Sequence, residues 1–224
     1  MSSLAYDLYD PDPEQVAVPV AVPKQPLTLQ ALRAQLGRLP LVSPGYLPMQ
    51  VPAMDTWLGG WPIGAVSEVA GLPGTGRLAL ILPLLGRLAR QGQRVVIVDP
   101  GQGFHPPALD ERTCEAVLLL RPAPAQAAWA AEQVARAGAV PLVVLLDLGP
   151  LGRAGVRLAK AAEAGRTTVV VVGEGMDEDL PAVLRLVTSG WEGGALRVRC
   201  TRARDGRALG ERQVVGPTVG QPAR

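Results

Sequence analysis

Short runs of Val, Ile and Leu alternate along this chain with segments whose apolar residues recur at helical spacing. Runs without polar alternation are typical of strands that are buried on both faces of a sheet. They predict strands at 66–70, 94–99, 116–120, 142–147 and 167–172. The spaced segments predict helices at 77–91, 125–137, 153–164 and 180–187. Strands that alternate with helices of this length indicate an α/β fold with a mostly parallel sheet flanked by helices.

The last part of the chain has a different pattern. Segments 195–204 and 207–215 alternate polar and apolar residues on either side of Asp205-Gly206. An Asp-Gly pair between two such segments favours a tight turn that joins antiparallel strands. We therefore predict that a C-terminal antiparallel hairpin closes the sheet.

The N-terminal part divides into two segments. Residues 1–26 carry four acidic residues and five prolines, a composition that predicts a flexible acidic arm. Residues 27–39 place Leu at 29, 32, 36 and 39, which predicts a helix with one apolar face, and a linker extends to residue 47. The main domain is then expected at 48–216, followed by a tail at 217–224.

Composition narrows the classes of function. Apolar residues make up 48% of the chain and charged residues only 19%, which excludes a wholly disordered protein. The net charge of +2 indicates no overall nucleic-acid-binding surface, so any basic surface has to be local. One histidine and two isolated cysteines exclude a zinc site and a disulfide framework. Because no apolar stretch approaches the ~20 residues that span a bilayer, we expect no membrane segment and a cytoplasmic protein.

A glycine-rich segment lies where a phosphate-binding loop belongs, between a predicted strand and a predicted helix. Its glycines are Gly71, Gly74 and Gly76. A working loop continues with a Lys that reaches the phosphates and a Ser or Thr that binds Mg²⁺. Arg77 and Leu78 occupy these two positions, and a leucine cannot bind the metal. Asp147 ends an apolar strand, as the magnesium-binding carboxylate of such sites does, so we predict a degenerate and inactive site without ATP or another cofactor.

The residues before this loop carry a family resemblance. The segment from Met54 to Gly64 resembles the approach to the phosphate loop in RecA-like proteins. More narrowly, the chain resembles the ImuA family, RecA-like accessory proteins of bacterial mutagenic DNA repair. This likeness covers about 48–215 and is carried by Gly-Gly-Trp-Pro at 59–62, Gly-Thr-Gly-Arg-Leu-Ala-Leu-Ile-Leu-Pro at 74–83 and Trp-Ala-Ala-Glu-Gln at 129–133. Trp129 is expected to anchor its alanine-rich helix to the sheet.

The resemblance implies a function that is not enzymatic. It implies a RecA-like domain that serves as an adaptor in the DNA damage (SOS) response and in mutagenic translesion synthesis, and that modulates RecA. The implied partners are RecA, an ImuB-like polymerase homologue and, through the latter, an error-prone C-family polymerase. Two positions differ from RecA: Gly101 replaces the glutamate that activates water, and Glu174 replaces the glutamine that senses the γ-phosphate. The two DNA-binding loops of RecA are matched here by a short segment at 148–152 and an acidic one at 174–179.

Three alternatives remain open at this point. The protein could be a weak ATP-binding switch or ATPase if Arg77 does the work of the lysine. It could be a cell-division inhibitor, because ImuA-like chains resemble SulA-type inhibitors in part. It could also be a single-stranded DNA-binding accessory that uses a stripe of C-terminal arginines, although the same residues fit a charged edge strand that is protected from pairing. The arginines of this stripe are Arg197, Arg199, Arg202, Arg204 and Arg207.

Overall fold

The computed structural model describes residues 45–105, 109–203 and 209–215. The predicted arm at 1–26, the helix at 27–39 and the tail at 217–224 lie outside the described residues. The strands of the described part are β1 (Tyr46–Leu47), β2 (Trp61–Pro62), β3 (Val66–Ala70), β4 (Val95–Val98), β5 (Val117–Leu120), β6 (Leu142–Leu146), β7 (Thr168–Gly173), β8 (Leu184–Glu192), β9 (Ala195–Ala203) and β10 (Gly210–Val215). Its helices are α1 (Pro52–Leu58), α2 (Leu82–Arg90), α3 (Glu111–Ala116), α4 (Pro124–Ala137) and α5 (Arg153–Gly165), with a 3₁₀ turn at Arg77–Leu80. None of these helices is long and apolar enough to cross a membrane.

Eight strands form one mixed sheet in the order β10-β9-β8-β3-β7-β6-β4-β5, and β1 pairs with β2 separately. The six strands from β8 to β5 in this order run parallel to their neighbours. Strands β8, β9 and β10 pair antiparallel at the other side. The predicted α/β class and the closing antiparallel strands are therefore confirmed, while the turn at Asp205-Gly206 lies outside the described residues.

Strands β3, β4, β6 and β7 are buried on both faces, as their continuous apolar runs predict, whereas the edge strand β5 is partly exposed. In β4, Val95 and Ile97 belong to one apolar core, and Val96 and Val98 belong to the other. The first core contains large side chains from α1, α2 and the antiparallel strands. The second is filled by alanines of α4 and α5, which lets these helices pack close to the sheet. All six parallel strands consequently present their carboxyl ends, and the loops that follow, at one edge of the sheet.

The predicted helix at 180–187 is wrong: no helix forms there, and its second half belongs to strand β8. Apolar residues at 180, 184 and 187 imitate the spacing of a helix face. In the fold, however, the free side of β3 offers backbone hydrogen bonds to this segment, and Ser67 pairs with Leu184 in parallel register. Tertiary pairing thus overrides a short local pattern.

The helix predicted at 77–91 is interrupted. A 3₁₀ turn covers Arg77–Leu80, and α2 begins only at Leu82, with Pro83 in its first turn. Proline lacks the N–H that a helix interior needs and crowds the preceding turn, which accounts for the interruption before α2. Helix α3 has no counterpart among the predicted elements; Asp110 caps it by accepting a hydrogen bond from the Thr113 N–H at 2.7 Å.

The prediction that Trp129 anchors α4 to the sheet is wrong. The sheet-facing positions of α4 are Ala127, Ala131 and Ala135, all fully buried, whereas Trp129 lies on the opposite side and is 59% exposed. Small residues bring the helix axis close to the sheet and leave no space there for an indole. The buried tryptophan of the described part is Trp61, which belongs to the core beside α1.

Candidate functional site

The glycine-rich loop at 71–76 joins β3 to the 3₁₀ turn at the carboxyl edge of the sheet. Gly74 and Gly76 have φ values of +81° and +88°, a conformation that glycine adopts without strain. A Cβ on Gly71 would collide with the hydroxyl oxygens of Thr75 and Thr188. A side chain at any of these three positions would strain the backbone or clash, so the conformation of the predicted loop depends on its glycines.

The side chains of this loop fasten it to the neighbouring strands. The Thr75 hydroxyl donates to the Leu72 carbonyl oxygen at 2.7 Å, and its oxygen lies 2.9 Å from that of Thr188 on β8. A Cβ on Gly76 would come within 2.5 Å of Leu196 and 3.2 Å of the Trp191 indole nitrogen. The end of the β8–β9 hairpin thus packs directly over the loop.

The structure brings Arg77 and Asp147 together, although 70 positions separate them in the sequence. Arg77 Nη1 donates to Asp147 Oδ1 at 2.6 Å, and the two side chains are 11% and 44% exposed. Asp147 follows β6 with a φ of +46°, which aspartate tolerates better than most residues. The cation and the carboxylate that a nucleotide site would direct at phosphate and magnesium neutralise each other here.

The other positions of a nucleotide site hold no matching chemistry. Leu78 replaces the metal-binding hydroxyl and packs against the apolar core. Gly101 is exposed and has no side chain that could activate water. The preceding Asp99 is buried and accepts hydrogen bonds from the amides of Gly103 and Phe104, which is a structural task. The described residues contain no group of three or more His, Cys, Asp or Glu side chains that could hold a metal ion.

The two short loops that follow β6 and β7 are joined through Asp177. Its carboxylate accepts a hydrogen bond from the Leu151 N–H at 2.7 Å, which links the second loop to the first. Its own N–H donates to Glu68 Oε1 at 2.6 Å. Both loops are thereby tied to the centre of the sheet, and Glu174, at the position of the phosphate sensor, is exposed.

A buried ion pair lies beneath these loops. Arg185 Nε of β8 is 3.1 Å from Glu68 Oε2 of β3, and the side chains are only 5% and 3% exposed. Arg185 also donates to the carbonyl oxygens of Asp177 and Leu180, both at 2.7 Å. Burial raises the pKa of the Glu68 carboxyl above its ordinary value, while the Asp177 amide and the Arg185 guanidinium act in the opposite direction. Sequence reasoning missed this pair; its signal was a lone glutamate within an otherwise uncharged buried strand.

Three arginines of the predicted stripe lie within the described residues, and their surroundings differ. Arg197 makes ion pairs with Glu192 and, at 3.4 Å, with Glu211. Arg199 lies beside the phosphate loop, where it shares the wall of a cavity with Thr75 and Glu174. Arg202 is exposed on β9. Arg204 and Arg207 lie outside the described residues.

Two cavities flank the second loop. The first, of about 350 Å³, extends between the two short loops and reaches Glu68 and Asp147. The second, of about 560 Å³, lies between the second loop, the phosphate loop and β8. Residues 174–176 form the ridge that separates them, because they contribute to the walls of both.

The fold and this edge of the sheet place the protein among chains with a RecA-like α/β fold. In particular, it is similar to the structure described as the RadB recombinase, with a TM-score of 0.62 and 18% sequence identity. The likeness covers 73% of this chain and 92% of the RadB chain. No protein-family model matches the sequence, and no curated protein does.

Proposed function

We propose that this protein is a non-catalytic RecA-like adaptor in the DNA damage response and in mutagenic translesion synthesis. Its partners are RecA and an ImuB-like polymerase homologue, through which it contacts an error-prone C-family polymerase, and its effect is to modulate RecA. The observation that carries the non-catalytic part is the 2.6 Å ion pair between Arg77 and Asp147. It occupies both charged groups that a RecA-like nucleotide site needs.

The remaining chemistry of the edge supports the same proposal. A magnesium nucleotide would lack its hydroxyl ligand at Leu78, its water-activating carboxylate at Gly101 and a phosphate sensor at Glu174. A carboxylate at the last position repels phosphate rather than binding it. Loss at three separate positions is harder to compensate than loss at one, since each supplies a different part of the reaction.

The loops also support a role that does not depend on direct DNA binding. The first loop is short, and the second carries acidic residues that oppose a phosphate backbone. Arg197, the first arginine of the stripe, is neutralised by two glutamates. The choice of RecA and the ImuB-like protein as partners rests on the ImuA-like segments of the sequence, together with the fold shared with a recombinase.

Binding to purified RecA tests the proposal. The protein is immobilised for biolayer interferometry and exposed to free RecA, to RecA filaments on single-stranded DNA, and to the ImuB-like protein. We expect binding to at least one of them, unchanged in the R77A variant, because the adaptor role does not use a nucleotide at this site. Absence of binding to every partner, in every state, contradicts the proposal.

A second candidate function is a weak ATP-binding switch. It is favoured by the retained conformation of the glycine loop, whose amides could still cradle an anion. Equilibrium dialysis with ATP and Mg²⁺ separates the two candidates. Magnesium-dependent binding in the micromolar range that R77A abolishes would establish a nucleotide site and overturn the inactive-site part of the proposal.

A further inference from the structure

A chain of polar contacts joins the phosphate loop to both short loops. Arg77 pairs with Asp147, where the first loop begins; Leu151 of that loop donates to the Asp177 carboxylate; and the Asp177 amide donates to Glu68. We call the surface formed by residues 147–152 and 174–179 the loop face. Because its segments are fixed to one another and to β3, binding of a partner there costs little conformational entropy for ordering the loops.

The charge on the loop face is negative, even though Arg77 and Arg185 each pair with one of its carboxylates. The walls of the two cavities carry five carboxylates and one guanidinium, those of Glu68, Asp147, Glu174, Asp177, Glu178 and Arg199. The Glu178 side chain is 81% exposed and accepts a hydrogen bond from Arg185 at 3.3 Å. Such a surface repels nucleic acid and attracts cationic groups. A bare metal ion is a poor match, because no three carboxylates of the described part converge to hold one.

One oxygen beneath the loop face has an unused capacity for a hydrogen bond. Glu68 is 2% exposed and lines the first cavity, and its Oε2 accepts no hydrogen bond among the described residues. Arg185 Nε lies 3.1 Å away and balances the charge without meeting hydrogen-bond geometry. Buried carboxylate oxygens are normally satisfied by N–H donors, which a guanidinium or an ammonium entering the cavity would supply.

Apolar side chains at the rim indicate that the partner is a protein segment rather than a small cation. Met176 is 37% exposed on the ridge between the cavities, and Leu72 is 64% exposed on the phosphate loop beside the second one. Methionine adapts its shape to different apolar partners. The combination of acidic walls and an apolar rim fits a peptide that carries both basic and apolar residues.

We propose that the loop face is a preorganised docking surface for a basic segment of a protein partner, with one basic side chain of that segment entering the 350 Å³ cavity beside Glu68. This inference rests on the proposed adaptor function, for which it supplies a binding surface. The partner's basic side chain enters the cavity on one side of the ridge at 174–176. An apolar side chain of the partner contacts Met176 and Leu72 on the other side.

Fluorescence anisotropy with a labelled peptide of alternating Arg and Leu tests the surface, with the corresponding Glu and Leu peptide as the charge control. The test variant is E174Q/E178Q; both side chains are exposed, and a glutamine at 178 can still accept the hydrogen bond from Arg185. Circular dichroism checks that the variant is folded. The matched control is E111Q/E115Q, which removes two exposed carboxylates from α3. We expect the basic peptide to bind the wild type and the control equally, and the test variant to bind at least about fivefold more weakly at low salt.

Equal weakening in both variants, or no weakening in the test variant, overturns the docking surface. Displacement of the peptide by single-stranded DNA from the wild type but not from E174Q/E178Q overturns it as well, because the face would then be a nucleic-acid site. The same variants are tested against RecA. If RecA fails to bind while E174Q/E178Q still binds the peptide more weakly, the docking surface stands and the proposed role with RecA fails. If RecA binds and the peptide binds all variants equally, the role with RecA stands and the docking surface fails.

Discussion

Two arginine–carboxylate pairs lie near the same edge of the sheet, and their surroundings differ. The Glu68–Arg185 pair is enclosed, with both side chains at most 5% exposed, and further hydrogen bonds hold it in place. The Arg77–Asp147 pair is shorter, at 2.6 Å, but its carboxylate is 44% exposed to solvent. Water therefore screens the second pair and hardly reaches the first.

This difference separates what each pair does. Removal of one partner from a buried pair leaves an uncompensated charge in the core, so the first pair is a condition of the fold. An exposed pair contributes little to stability and can change without unfolding the protein. The Arg77–Asp147 pair can consequently affect what the phosphate loop binds without affecting the fold, which is the role that the proposed function gives it.

The largest effect is expected when the buried pair is broken. The R185M variant keeps the apolar stem but strands the Glu68 carboxylate, and should lower the free energy of unfolding by about 3–5 kcal/mol near neutral pH. Urea unfolding followed by circular dichroism measures this. Arg202 pairs with Arg185 across the β8–β9 ladder but is exposed, so R202M serves as the control and should change stability by no more than about 0.5 kcal/mol. An equal loss in both variants would contradict the conclusion that the buried pair is a condition of the fold.

A smaller effect is expected from pH. The folded protein holds the Glu68 proton more tightly than the unfolded chain does, because burial raises the carboxyl pKa above 4.5. The stability from this group is fully present below the pKa of the unfolded chain and is lost as the pH rises through the higher pKa of the folded protein. Relative to E68Q, which cannot titrate there, the wild type should lose stability as the pH rises from about 4 to 8. If the urea midpoints of the two proteins change in parallel across this range, burial does not control the protonation of Glu68.

The smallest effect is expected from the exposed pair. A double-mutant cycle with R77A, D147A and R77A/D147A should give a coupling free energy of about 0.2–1 kcal/mol, because solvent screens Asp147. Thermal or urea unfolding of the four proteins measures it. A coupling as large as that of the buried pair would mean that the phosphate loop is held closed by the fold itself, which would sharpen the case against nucleotide binding.

The sequence predicted most of the parallel core well, because β3, β4, β6 and β7 are buried on both faces and their apolar runs need no tertiary information. It failed at β8, where the neighbouring strand β3 decides the conformation of a short apolar pattern. The same failure concealed the buried pair: with Arg185 assigned to a helix, nothing connected it to Glu68. Arg77 was recognised because it follows the glycine-rich loop, and Asp147 because it follows an apolar strand. Their contact depends on how β3 and β6 are placed in the sheet.

The arginine stripe shows a different limit of sequence reasoning. Alternation correctly placed β9 and β10, yet it could not predict that Glu192 and Glu211 flank Arg197 on adjacent strands. Strand pairing, rather than strand identity, determines which charges remain available for a partner. The acidic loop at 174–179 was visible in the sequence, but its attachment through Asp177 to Glu68 was not.

The position of β3 in the sheet has a consequence for synthesis of the chain. Its neighbours are β7 and β8, so Val66 pairs with Val169 and Ser67 with Leu184. At roughly 5–20 residues per second, translation reaches these partners several seconds or more after β3 has left the ribosome. Until then, this central strand of the sheet has no native neighbour, which gives chaperones a defined period and a defined apolar segment to protect. Pairing between segments that lie this far apart in the sequence also slows folding, because the long loop has to close before the contacts form.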